Sequence, residues 1–375
     1  MSKKLILACV LSNLSCAPES QKTVAPFRAH VLARNDNGTY GFKTVTFQTL
    51  TSLKRMEGTL GRVLGNAALD VQSDVKDDVI KKMDPTQLFS RRGNSIKLNF
   101  VVRKGVIYPM DFKSLEILSF YYTYEQVVSF WQNSLGITLL DPKPDLFYNP
   151  SITLDEGGTV LEGNIKMNAA YLPITDDFMF FETAKSEDVP VKINHAVISH
   201  EYTHYIFHQQ FAKMDHRFYD TANSLATEDL DGMNEGVADF FAYVYTGHAD
   251  EFKRSLPEMS ETRRLPAAWQ LSTLSSAPCA ESFYCKGSIL ASALYEITTR
   301  FGYDKIKVAQ NVYRALNEFR TDWASEKENA AFDYHLLINR IIAEADPQER
   351  GNYCTVFTKW FDEPKVKDKL SCSDQ

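Results

Sequence analysis

The residues best suited to chemistry in this chain are His200, Glu201 and His204, in the string HEYTH within NHAVISHEYTHYIFHQQF. On a helix, positions i and i+4 share a face, so His200 and His204 can aim an imidazole nitrogen at one cation. Glu201 follows the first histidine on nearly the same face. There it can reach a water on that cation without being a ligand, as the general base of a zinc hydrolase does. Chance also produces HExxH, and the two histidines would then decorate a solvated helix. Ala196, Val197, Tyr202, Ile206 and Phe207 argue against that, because they make the helix apolar and force its polar residues into partly buried positions that demand partners.

A third ligand must come from another element. Downstream, Gly232-Met233-Asn234-Glu235-Gly236-Val237-Ala238-Asp239 sets Glu235 and Asp239 on one helical face, again at i and i+4. Catalytic zinc takes three protein ligands and leaves a fourth position for water, and a ligating histidine passes its other ring N–H to a carboxylate. Glu235 as third ligand, with Asp239 as the histidine's carboxylate partner, fills both roles. Two solvated carboxylates would fit poorly with the apolar run VADFFAYVY that contains Asp239.

HEYTH followed by NEGVAD resembles the thermolysin-type zinc metallopeptidases, the gluzincins, and MNEGVADFFA is similar to the matching stretch of their fungalysin branch. The 31 residues from His204 to Glu235 imply an insertion between the two ligand helices. Upstream, Asn168-Ala169-Ala170-Tyr171 resembles the family's edge strand, which implies that Asn168 and Ala169 orient an extended peptide by strand addition. The resemblance also implies an oxyanion-holding tyrosine between the ligand helices, where Tyr219 falls, and a histidine just before the glycine of KGSILASALY. Here the chain departs from the family and has Phe283 and Tyr284. A phenol O–H can also donate to an oxyanion, which makes Tyr284 the expected substitute; an uncompensated loss of such a donor costs roughly 10²–10³ in turnover.

These residues need a scaffold. Periodicity predicts a helix over 115–135, where Ile117, Phe120, Tyr121, Tyr124, Val127, Val128 and Trp131 form an apolar stripe and Gly136 stops it. Before it, residues 27–32 and 42–50 read as strands, 53–64 as a helix, and the alternation over 95–106 as one strand. After it, 145–152 and 159–165 read as strands leading to the NAAY segment and the β-prone run 178–181. Beyond Gly247 the chain turns helical, over 288–301, 305–319 and 332–345. His208, four residues beyond His204, makes a second metal conceivable but lies a turn too far to join the same ion, and His195 and His216 have no spacing argument and read as structural.

The opening MSKKLILACVLSNLSC has two lysines and an apolar run far shorter than the roughly 20 residues of a membrane span, so it reads as a signal peptide. Leu14-Ser15-Cys16 resembles the end of a bacterial lipobox, with Asn13 where leucine is usual, and makes Cys16 a candidate for lipidation; simple secretion is the alternative. Outside the cytoplasm, Cys279, Cys285, Cys354 and Cys372 are expected as disulfides. Local pairing gives Cys279 with Cys285 and Cys354 with Cys372, among three possible connectivities. A net charge of −7 and a pI near 5.7, with no basic tract, speak against a nucleic-acid partner.

The expected fold is α+β and zincin-like in two lobes, sheet-bearing upstream and mostly helical downstream, with zinc at the cleft. Residues 1–16 would be the signal, 17–110 a mixed amino-terminal domain or propeptide-like region, 111–210 the upstream lobe and 211–375 the downstream lobe. The expected function is that of an exported zinc metalloendopeptidase acting on peptide or protein substrates, secreted, periplasmic or held at a bacterial membrane only by the lipid on Cys16. The alternative is a catalytically weakened or inactive zinc-binding lipoprotein that serves as a protein-binding module.

Overall fold

A computed structural model describes residues 26–72, 89–137, 143–156, 159–163, 169–173, 175–182, 188–211, 224–259, 261–280, 282–325 and 334–372. The fold is mixed α+β. Among the described residues every strand precedes the HEYTH helix, and no helix is long and apolar enough to cross a membrane.

Strands β1 (Arg28–Arg34), β2 (Tyr40–Thr46), β7 (Phe100–Arg103) and β8 (Val106–Pro109) form a four-stranded sheet in the order β2-β1-β8-β7. Strand alternation sends Ala29, Val31 and Ala33 of β1 into the core. The expected single strand over 95–106 is instead the end of β6 (Phe89–Ser95) and a hairpin. Lys104 and Gly105 take φ of +50° and +74°, the two positive values of a two-residue hairpin turn, while the apolar alternation simply continues across it.

The second sheet runs β11 (Thr159–Gly163), β10 (Ser151–Glu156), β5 (Arg62–Gln72), β9 (Asp145–Tyr148), β13 (Asp177–Phe180) and β12 (Ala169–Leu172). Strand β6 pairs beside β5, and the short β3 (Leu50–Ser52) and β4 (Glu57–Gly58) lead into it. The helix expected over 53–64 does not form: Met56 has φ +46°, Gly61 has φ +152°, and the chain turns into β4 and β5. A Cβ on Gly61 would lie 2.6 Å from the Pro144 carbonyl oxygen, so this glycine serves a close backbone approach between β5 and the segment before β9. Sheet pairing at long range overrides the local apolar spacing.

Helix α1 (Phe112–Asn133) begins where Asp111 accepts the Ser114 N–H at 2.7 Å, and beyond its end Gly136 takes φ +73°. Its buried stripe is what holds the site helices. Tyr124 and Trp131 set their rings 6.0 and 5.9 Å from Tyr202 on α2 (His195–Phe211). Trp131 also stacks at 4.6 Å on Phe241 of α3 (Ser224–Thr246). One aromatic stripe thus fixes both ligand helices in the same core.

Helix α4 (Phe283–Arg300) starts five residues before the expected 288, because Ser282 caps it by accepting the Tyr284 N–H at 3.2 Å. Helices α5 (Lys305–Ser325), α6 (Tyr334–Glu344), α7 (Arg350–Trp360) and α8 (Pro364–Lys367) complete the helical half, the last two outside the predicted elements. The cysteine pairs Cys279–Cys285 and Cys354–Cys372 lie at disulfide distance, with Cα separations of 5.7 and 5.6 Å, as local pairing predicts.

Candidate metal centre

Helices α2 and α3 face each other through His200, His204 and Glu235, whose ligand atoms all lie within 4.8 Å of one another. The His200 and His204 Nε2 atoms are 2.9 Å apart, and Glu235 carboxylate oxygens lie 3.3 Å from the first and 3.6 Å from the second. The partners on the far side of each ring explain this orientation. His204 Nδ1 donates to the Asn234 side-chain oxygen at 2.8 Å, and His200 Nδ1 lies 3.0 Å from Asp239 Oδ1, somewhat off the line of an ideal hydrogen bond. Two acceptors behind the rings favour an N–H on each Nδ1 and turn both Nε2 atoms toward the Glu235 carboxylate. Such a donor set suits a divalent cation of the zinc type.

Charge agrees with geometry. Three carboxylates, Glu201, Glu235 and Asp239, stand against one guanidinium, that of Arg263, a formal −2 before the imidazoles are counted. Arg263 Nη1 lies 2.7 Å from Glu235 Oε2, 2.7 Å from Asp239 Oδ1 and 3.3 Å from His200 Nε2. Burial pushes the Glu235 carboxyl up, yet Arg263, His204 and His200 outweigh it and hold it well below the usual carboxylate range. Burial and Arg263 push His200 down, but its contacts with Asp239 and Glu235 prevail and raise it to about 9. His204, with weaker support, is lowered chiefly by burial.

Glu201 is buried beside these ligands, and its Oε2 accepts the Tyr171 backbone N–H at 2.8 Å. Among the described residues strand β12 pairs with β13 and lies last in its sheet, and it carries Tyr171 past Glu201. The Tyr171 hydroxyl lies 2.7 Å from Asp176 Oδ1 and 2.8 Å from His208 Nδ1. His208 therefore faces away from the ligand cluster and braces the strand.

Tyr284 reaches the site because α3 and α4 cross at glycines. A Cβ on Gly236 would lie 2.5 Å from the Gly287 carbonyl oxygen, and one on Gly287 would lie 2.8 Å from the Gly232 carbonyl oxygen and 2.9 Å from the Glu235 Cβ. The first turn of α4 is thereby pressed against Glu235. The Arg263 guanidinium stacks 4.5 Å from the Tyr284 ring centroid. Burial first, then the charges of Glu235, Glu201 and Asp239, raise the Tyr284 hydroxyl above the ordinary phenol range and keep it a proton donor.

The fold thus brings together His200, Glu201, His204, Glu235, Asp239 and Tyr284, and Ala169 lies two residues before the Tyr171 that touches Glu201. Asn168, Tyr219, His216 and Cys16 lie outside the described residues. Motif reasoning missed Arg263, which comes from a stretch with no helical periodicity and is placed only by the fold. It also missed Asn234, which a search for acceptors adjoining Glu235 would have found. No model of a known protein family matches the chain, and no curated protein does; the metallopeptidase resemblance is carried by the motif residues alone.

Proposed function

We propose that the chain is a zinc-dependent peptidase whose metal is held by His200, His204 and Glu235. The convergence of these three side chains, His200 buried and His204 and Glu235 partly so, with both Nε2 atoms directed at the Glu235 carboxylate, carries the reading. When bound, zinc supplies Lewis acidity and lowers the pKa of water. The Tyr171 N–H fixes one oxygen of Glu201, and the second is available to take the proton of the attacking water and return it to the leaving amine. An extended peptide substrate would run along β12, which passes beside that carboxylate. Tyr284 donates its hydroxyl proton in a hydrogen bond to the oxyanion, and Arg263 lends its charge to the same region. Asp239 keeps the His200 ring oriented.

The test is hydrolysis of a quenched peptide library by zinc-loaded protein beside Glu201→Gln. Removal of the base is expected to lower turnover about 10²–10⁴-fold with zinc content unchanged. Equal rates in parent and variant would defeat the reading. A second reading, a zinc-binding module without turnover, is favoured by the apolar Phe283 near the position where the resembled family has a histidine and by Arg263 lying 3.3 Å from His200 Nε2. No hydrolysis by a folded, fully zinc-loaded parent would select it.

A further inference from the structure

Only three large hydrophobic side chains are exposed among the described residues: Phe42 (64%) on β2, Met110 (56%) one residue past β8, and Phe112 (64%) at the start of α1. With Ala29, Val31 and Ala33 turned into the core, His30 and Leu32 point to the opposite face. Phe42 is directly opposite Leu32 in the β1–β2 ladder and shares that face. The His30 ring stacks on Phe42 at 5.5 Å and lies 5.5 Å from Tyr108 of β8. Beyond β8 the Met110 N–H still donates to the Asn99 carbonyl, so the ladder continues and Met110, two residues past Tyr108, falls on the same side. Phe112 follows at the first position of α1.

The rim of this face is basic although the chain as a whole carries −7. Arg28 and Arg103 alternate onto it, and Lys104 and Lys113 stand exposed at its margins, against Asp36 and Asp111. Exposed aromatic and sulfur side chains ringed by Lys and Arg suit the interface of an anionic bilayer, where apolar groups enter between acyl chains and cations meet phosphates. They suit a soluble environment poorly.

We infer that the Phe42–Met110–Phe112 face of this sheet is a second membrane contact, one that seats the protein on an anionic lipid surface. Its orientation draws on the lipid-anchor expectation: residue 26 is ten positions beyond Cys16, a reach of at most roughly 35 Å.

The experiment uses the chain from Ala17 onward, which lacks both the signal and any lipid, and the same chain with Phe42→Ser, Met110→Ser and Phe112→Ser. Both are floated with vesicles of phosphatidylethanolamine and phosphatidylglycerol and with vesicles of phosphatidylcholine alone. The parent is expected to partition to the anionic vesicles at least tenfold more than the triple variant, and less at high salt. Arg28→Glu with Lys104→Glu, which leaves the apolar side chains in place, should also lower anionic binding. Circular dichroism confirms folding of each variant. Absent or equal binding by parent and triple variant would overturn the inference, as would a parent dimer that the serines dissociate without any vesicle binding. Peptide hydrolysis plays no part in the readout, so failure here is distinct from failure of the peptidase proposal.

Discussion

Helix α2 carries two kinds of buried histidine, and their difference is instructive. His200 and His195 are 4% and 7% exposed, so desolvation weighs on both. His200 faces Glu235 and Asp239, which overcome burial and raise it to about 9. His195, one and a half turns earlier, sets its ring 5.6 Å from Tyr245 with Nδ1 3.0 Å from that hydroxyl, and its Nε2 is buried without a partner. There burial, then Arg34 and Lys43, lower it to about 3. Depth is nearly equal in the two places. The sign of the surrounding charge makes one ring a cation site and the other a neutral packing element.

The largest expected effect tests that contrast directly. His200→Ala should abolish stoichiometric zinc binding measured by metal analysis after dialysis, whereas His195→Ala should leave one zinc per chain. Loss of zinc from both would show that the contrast is false. Next comes Tyr284→Phe, which keeps the ring under Arg263 and removes only the hydroxyl. If the hydroxyl is the oxyanion donor, kcat falls about 10²–10³-fold with little change in KM, and an unchanged kcat would return Tyr284 to a packing role.

Asp239→Asn removes the carboxylate behind His200 while preserving its shape. Loss of such a partner lowers metal affinity about 10–100-fold, readable by competition with a chelator, and an unchanged affinity would mean that Asp239 does not orient the ring. The smallest effect concerns His195 and pH. Its folded pKa near 3 lies below the ordinary 6.5, so between these values the unfolded chain binds a proton that the folded chain does not. Stability contributed by this site is therefore lost as pH falls below 6.5, by about 2 kcal/mol at pH 5. His195→Gln, which does not titrate, should flatten that part of the denaturation-versus-pH curve relative to the parent. An identical slope in both proteins would remove His195 from the account.

The same contrast marks how far the sequence reaches. The 3.6-residue turn dictates that His200 and His204 share a face, and likewise Glu235 and Asp239, so the ligand pairs were legible from spacing. The local cysteine pairs and the aromatic stripe of α1 were legible for similar reasons, since each depends on contacts short in sequence or on one periodicity. Residues 53–64 were not, because their apolar spacing suits a helix while their glycines serve a close backbone approach and a central strand whose partners lie far along the chain.

What the sequence alone determined is the chemistry on offer: two imidazoles, carboxylates at helical spacing, and a tyrosine in place of a histidine. The tertiary structure decided which of these meet. It brought Arg263 between Glu235 and Asp239, laid the Tyr171 N–H on Glu201, and pressed Tyr284 to the site through the Gly236–Gly287 crossing. It also separated His200 from His195 electrostatically, although both are buried on one helix. Helical spacing is a local geometric constraint, whereas the field at a buried ring is the sum of charges brought from distant parts of the chain.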